Sequence, residues 1–146
     1  MNKTVFLDSM IFIYLFEEDS RYIKKIRPLF ENIENGKITA FTSIITPLEV
    51  LSVAKLEKDS DRLLAFNRFF QKTPNLTIID VNWEVMEKAA DLRRKNAHLR
   101  TPDALQIATA IIAGAKVFIT NDEKLIKAKT ESLKKVLVDE LDTTLG

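Results

Sequence analysis

Cysteine is absent from the 146 residues, which excludes disulfides, thiolate nucleophiles and zinc sites built on sulfur. There is a single histidine, His98, so a multi-imidazole zinc site is excluded and Ser-His-Asp chemistry would have to run through that one ring. An excess of one charge is lacking as well: 22 Lys+Arg stand against 21 Asp+Glu, and any nucleic-acid, membrane or acidic partner must be met by a local patch. No long hydrophobic run exists. The apolar stretch from Ile11 to Phe16 falls far short of the ~20 residues of a membrane helix. The N-terminus lacks a basic segment leading into an apolar signal core, so a soluble, cytoplasmic protein is expected. Nor does a Gly- or Pro-rich linker, a repeat or a low-complexity tract divide the chain, and one domain over residues 1–146 is expected.

What is present is a core. The chain is 46% hydrophobic, and a domain of this length buries about two-thirds of the surface its unfolded form exposes. Short strand-like runs recur at Thr4 to Leu7, Ile38 to Ile45, Leu76 to Val81, Lys116 to Thr120 and Lys135 to Val138. Between them the apolar spacing turns helical over Tyr22 to Ile33, Leu48 to Leu56, Leu63 to Phe70, Trp83 to Leu92 and Leu105 to Ala113. Asn35-Gly36 and Gly114 supply two of the stop signals. Strands alternating with helices predict an α/β fold with a mainly parallel sheet of about five strands, covered on both faces, and leave an antiparallel or irregular last strand open.

Four acids share one context, the point where a strand has ended or a helix begins. Asp8 follows Val5-Phe6-Leu7, Glu49 lies in Thr46-Pro47-Leu48-Glu49, Asp103 in Thr101-Pro102-Asp103-Ala104, and Asp122 follows Phe118-Ile119-Thr120-Asn121. In parallel α/β sheets such junctions converge at the carboxyl ends of the strands. Carboxylates gathered there raise one another's pKa and call for a cation, and oxygen donors without His or Cys suit Mg²⁺ or Mn²⁺. A plainer reading explains each acid alone: Thr46-x-x-Glu49 as a capping box, Asp103 as a first-turn acid, Asp8 and Asp122 as N-caps. Asp80 and Asp139 also close strand-like runs without the surrounding motif, and Glu17-Glu18-Asp19 reads as a solvated turn.

Those segments resemble a PIN domain over nearly the whole chain. The resemblance is carried by Val5-Phe6-Leu7-Asp8-Ser9, Thr46-Pro47-Leu48-Glu49-Val50 and, most specifically, Asp103-Ala104-Leu105-Gln106-Ile107-Ala108-Thr109-Ala110 followed by Phe118-Ile119-Thr120-Asn121-Asp122. Size and layout are similar to VapC-type toxins. The resemblance implies a metal-dependent endoribonuclease with Asp8, Glu49, Asp103 and Asp122 as catalytic and metal-binding residues, and Ser9, Thr120 and Asn121 as accessory polar groups. It further implies a VapB-like antitoxin partner and a homodimer. One departure stands out: many relatives carry Asn two residues after the first Asp, where this chain has Met10, whose apolar side chain cannot orient a metal water.

An RNA substrate calls for cations near the acids. Arg93, Arg94, Lys95, His98 and Arg100 form a basic stretch leading into the Asp103 helix, with a solvated helix end as the plainer reading. Lys124, Lys127 and Lys129 are the second candidates, and nothing in metal-assisted hydrolysis needs His98. Phe66, Phe69 and Phe70 are expected in a core or a partner-facing surface rather than as base-stacking platforms. The stripes Phe12, Phe16 and Tyr22, Ile26, Phe30 fit a core or a protein interface equally well. Two rival functions remain beside the nuclease. One is a non-catalytic PIN-like scaffold that binds RNA or protein. The other is an aspartate-based phosphatase or hydrolase with Asp8 as nucleophile, although such families place a second Asp where Met10 stands.

Overall fold

Alternation along the strands sorts side chains to two faces of one sheet. The computed structural model describes residues 3–131 and 133–141. In it, strands β1 (Lys3–Leu7), β2 (Ile38–Ser43), β3 (Leu76–Ile79), β4 (Val117–Thr120) and β5 (Lys134–Leu137) form a five-stranded sheet in the order β3-β2-β1-β4-β5. Every pairing is parallel, including β4 with β5. The last strand is therefore neither antiparallel nor irregular. A crossover through the short helix α7 (Glu123–Lys127) returns the chain in the same direction.

Six further helices clothe the sheet: α1 (Ser9–Phe16), α2 (Ile23–Glu34), α3 (Ile45–Leu51), α4 (Ser60–Lys72), α5 (Trp83–Lys95) and α6 (Thr101–Ala113). Val5, Leu7 and Ile119 turn to one face, against Phe12, Phe30, Val50 and Phe70 from the first four helices. Phe6 and Phe118 turn to the other, against Val85, Leu92, Ile107 and Leu125. The two rings on that face stack with centroids 5.3 Å apart, and burial on both sides explains why β1 and β4 read as continuous apolar runs.

The phenylalanine stripes belong to the first of these cores. Phe12 lies 5.4 Å from Phe30 and 5.1 Å from Phe70, ring to ring, and Phe16 stacks on Phe66 at 4.2 Å. Gly114 ends α6 in the left-handed conformation at φ 72° and Gly36 follows α2 at φ 85°, conformations that glycine adopts at little cost. The helix expected from Leu48 to Leu56 breaks earlier. Ser52 turns its hydroxyl back onto the Leu48 carbonyl, a local bond that competes with helix continuation. The chain then re-enters as a 3-10 turn, Ala54–Lys58, which buries Leu56.

Strand order locates the functional end. From central β1 the chain moves outward to β2 and β3, then crosses back to β4 and β5 on the other side. The switch point between β1 and β4 opens at their carboxyl ends, where α/β sheets bind ligands.

Candidate active site

Asp8 stands directly on that switch point. Its backbone N–H donates to the Ile119 carbonyl of β4 at 3.0 Å, stitching the two strands together. One carboxylate oxygen caps α1 by accepting from the Ser9 N–H at 2.7 Å, and the other accepts from the Thr120 hydroxyl at 2.7 Å. Thr120 in turn accepts from the Asp122 N–H at 3.1 Å, so one buried hydroxyl ties the ends of β1 and β4 to the loop that carries Asp122. The Asp8 carboxyl is pushed up to about 6. Burial is the main cause and the charges of Asp103 and Glu49 add to it, while the Thr120 and Ser9 hydrogen bonds pull the other way.

Glu49 reaches the same place from α3. Its Oε1 accepts from the Ser9 hydroxyl at 2.8 Å, which joins it to the residue after Asp8. Thr46 does not cap the helix, because it lies inside α3 with Ile44 as the cap residue. The capping box expected from Thr46-x-x-Glu49 is thus replaced by tertiary bonds. Thr46 and Ser9 both accept from the Gln106 amide of α6, at 2.8 and 2.9 Å, and Thr46 and Thr42 hydroxyls lie 2.7 Å apart. Thr42 donates to the Leu7 carbonyl at 2.7 Å. Sequence reasoning missed this network of Thr42, Thr46 and Gln106. Its one visible signal was a glutamine among the apolar residues of α6.

Asp103, half-buried in the first turn of α6, accepts from Arg100 Nε at 3.1 Å. Asp122 caps α7 through the Lys124 N–H at 2.9 Å. Arg100 feels all of this side: its guanidinium is held more firmly protonated by its hydrogen bond with Asp103 first, and by the charges of Asp103, Glu49 and Asp122. Asn121 points away and donates to the Tyr14 hydroxyl at 3.0 Å. Asp80 and Asp139 are exposed and hold no bond to these groups. Glu17, Glu18 and Asp19 pair with Lys55, Arg27 and Arg21 at the surface.

The four acids therefore act on one another or on one guanidinium, yet among the described residues no three acid or histidine side chains form a group that would hold a metal ion. Each has taken a donor of its own: Thr120 and Ser9 for Asp8, Ser9 for Glu49, Arg100 for Asp103, a backbone amide for Asp122. The donor chemistry, oxygen alone around a buried carboxylate with a raised pKa, fits a hard dication.

The basic stretch is divided by its pairing. Arg94 and Lys95 bind Asp91 on their own helix at 3.3 and 3.0 Å, and Arg93 Nε donates to the Leu99 carbonyl at 3.1 Å. Only Arg100 of the four cations expected to meet RNA contacts one of the acids.

A family model described as PIN domain matches residues 5–131. No match is found among the curated proteins. Among solved structures the fold is similar to DNA-bound VapBC from Salmonella typhimurium, with TM-score 0.69, 20% identity, and 94% of this chain and 99% of that chain covered. It is similar also to VapBC2 from Rickettsia felis bound to a promoter DNA fragment, with TM-score 0.68, 19% identity and 92% and 98% covered. A third likeness is to VapC20 of Mycobacterium tuberculosis, described as a Sarcin-Ricin loop cleaving toxin, with TM-score 0.69, 15% identity and 89% and 98% covered. With the family model spanning Asp8, Glu49, Asp103 and Asp122 alike, the chain belongs to the PIN-domain family.

Proposed function

We propose that the protein is a Mg²⁺- or Mn²⁺-dependent endoribonuclease, the toxin of a toxin-antitoxin pair, acting in the cytoplasm and neutralised by a VapB-like antitoxin. The observation that carries this reading is the position of Asp8: buried at the switch point, raised to about 6, and charged against by Asp103 and Glu49. A protein that keeps such a carboxylate without a permanent counter-charge gains nothing in stability from it. Antitoxin complexes among the structural neighbours support the partner. Among the described residues no helix is long and apolar enough to cross a membrane. Exposed Leu48 and Leu64 supply apolar surface for a homodimer.

Asp8, Asp103, Asp122 and Glu49 would hold the metal. When bound, it supplies positive charge at the phosphoryl oxygens and lowers the pKa of water. The protein's own groups do the rest. Thr120 and Ser9 keep the Asp8 carboxylate in one orientation, and the Ser9 hydroxyl fixes Glu49 Oε1. Glu49 Oε2, exposed and with no partner among the described residues, is placed to accept a proton from an attacking water. Arg100 lies beside Asp103 to meet the charge of the phosphate.

Asp8 as a phosphatase nucleophile is disfavoured, since Met10 stands two residues on, where such an enzyme places its second carboxylate. A non-catalytic scaffold is favoured by the ungathered acids and by Met10. Cleavage of RNA by the wild type, Asp8→Ala and Asp103→Ala, each with Mg²⁺, Mn²⁺ or EDTA, separates the two. The nuclease reading expects cleavage by the wild type with metal alone. Equal activity in all three proteins, or indifference to EDTA, overturns it.

A further inference from the structure

Beyond Asp103 and Asp122 the acidic site opens into a groove of about 480 Å³, a volume typical of small-ligand sites. Its floor is apolar, formed by Leu99 and Leu125, which are almost fully buried. Its walls are the loop between α5 and α6, carrying His98, and the face of α7 that carries Lys124 and Lys127. Residues three apart on a helix lie on the same side, so the two lysines act together.

Both walls are pinned. Asn96 donates to the Leu92 and Lys129 carbonyls at 2.9 and 3.1 Å and accepts from the Lys129 N–H at 2.8 Å, which clamps the end of α5 to the segment after α7. Arg93 holds the loop through the Leu99 carbonyl, and Lys135 of β5 donates to the Leu125 and Ala128 carbonyls at 2.9 and 2.6 Å. A one-turn helix has little stability of its own, yet this one is fastened at both ends. Preformed walls lower the ordering cost of binding.

Charge selects the occupant. Lys124 and Lys127 are exposed and their ammonium groups have no acidic partner among the described residues, whereas Arg94 and Lys95 are neutralised by Asp91. Unpaired ammonium groups over an apolar floor suit a phosphate and an unstacked base, and a base can reach such a floor only from a single strand. We propose that this groove binds one unpaired nucleotide of an RNA strand, its phosphate on Lys124 and Lys127 and its base on the Leu99–Leu125 floor beside His98. That this nucleotide adjoins the phosphate to be cut rests on the nuclease reading; the binding itself does not.

The test measures fluorescence anisotropy of the full chain, in EDTA to prevent cleavage, with a labelled single-stranded oligoribonucleotide of mixed sequence. The Lys124→Gln/Lys127→Gln protein is expected to bind about tenfold or more weakly at low salt, with a log–log salt slope smaller by about 0.7, the value for one phosphate on a single strand. Arg94→Gln/Lys95→Gln, which removes the same charge outside the groove, is expected to change affinity by less than about threefold. His98→Ala weakens binding of the oligonucleotide but not of an abasic ribose-phosphate chain. Equal losses in the two double variants, tighter binding of the RNA duplex, or stronger competition by an acidic peptide than by the single strand would each overturn the proposal. Loss of binding in the groove variant alongside a wild type that cleaves nothing with either metal supports the groove and removes only the nuclease reading.

Discussion

The two halves of the acidic site are built on opposite principles. On one side Asp8 and Glu49 are anchored through Ser9, Thr120, Thr46 and Gln106, a network in which most members are buried. On the other, Asp103 and Asp122 sit half-buried among exposed cations, held by one surface ion pair and a helix cap. Buried polar networks are rigid and costly when broken, while exposed pairs contribute little to stability. The rigid half therefore sets geometry at the expense of stability, and the open half is the one that, under the proposed function, would meet the substrate.

The largest effect is expected at Asp8. Its folded-state value of about 6 lies above the ordinary 3.8, so the fold binds this proton more tightly than the unfolded chain does. Stability is then favoured below pH 3.8 and lost as the pH rises through 6. At pH 8 the charged carboxylate costs the metal-free protein about 3 kcal/mol, at ~1.4 kcal/mol per pKa unit. Asp8→Asn is expected to lose cleavage by ~100-fold or more and to raise the metal-free Tm at pH 8 by roughly 6–12 °C. Near pH 4 the gain shrinks towards zero. Thermal melts in EDTA across this range check it, and a Tm that falls at pH 8 would mean that Asp8 supports the fold.

Thr120→Val attacks the same half from the other side. It leaves one Asp8 oxygen and the Asp122 N–H without their partner, at an expected cost of ~1–3 kcal/mol. The loss is greater at pH 8, where Asp8 is charged, than near pH 4, and denaturant titrations at the two pH values read the difference.

Gln106→Leu asks whether the network orients or merely stabilises. The Gln106 Oε1 atom is buried with no partner among the described residues, so a slightly shorter apolar side chain removes an unsatisfied acceptor along with two donated bonds. These changes offset, and stability is expected to move by less than about 1 kcal/mol. The Ser9 hydroxyl, no longer held on its acceptor side, loses its fixed aim at Glu49, and kcat is expected to fall about tenfold with KM unchanged. Steady-state kinetics beside a melt decide it. A collapse in Tm with normal kcat per folded molecule would assign the network to stability alone.

The four acids were easier to read in the sequence than the network that anchors two of them, and pairing explains why. Periodicity places the five strands within a few residues of their observed limits, and punctuation by Asn35-Gly36 and Gly114 marks two helix ends. Asp8, Glu49, Asp103 and Asp122 announce themselves because each breaks an apolar pattern at a junction. Thr42, Thr46 and Gln106 do not, since their meeting depends on α3 and α6 approaching each other across β2. The early end of α3 is similarly decided by one Ser52 hydroxyl. Arg94 and Lys95 were separable in principle: Asp91 precedes them by three and four residues, the spacing at which helical side chains meet.

Arg100 gives the smallest expected change in stability and the sharpest contrast between the halves. Its side chain is 72% exposed and its bond to Asp103 is a surface ion pair, so Arg100→Gln is expected to shift stability by less than about 0.5 kcal/mol. Without the guanidinium, Asp103 loses the cation that competes for its oxygens, and Mn²⁺ affinity by calorimetric titration is expected to rise several-fold, roughly 1 kcal/mol. RNA binding moves in the opposite direction, because a phosphate contact is lost. Opposite signs for metal and RNA in one variant follow only if Arg100 neutralises the open half between turnovers. A Tm drop of more than ~5 °C, on the order of 2 kcal/mol for a chain of this size, would place Arg100 in the fold and dissolve the division between a rigid and an open half.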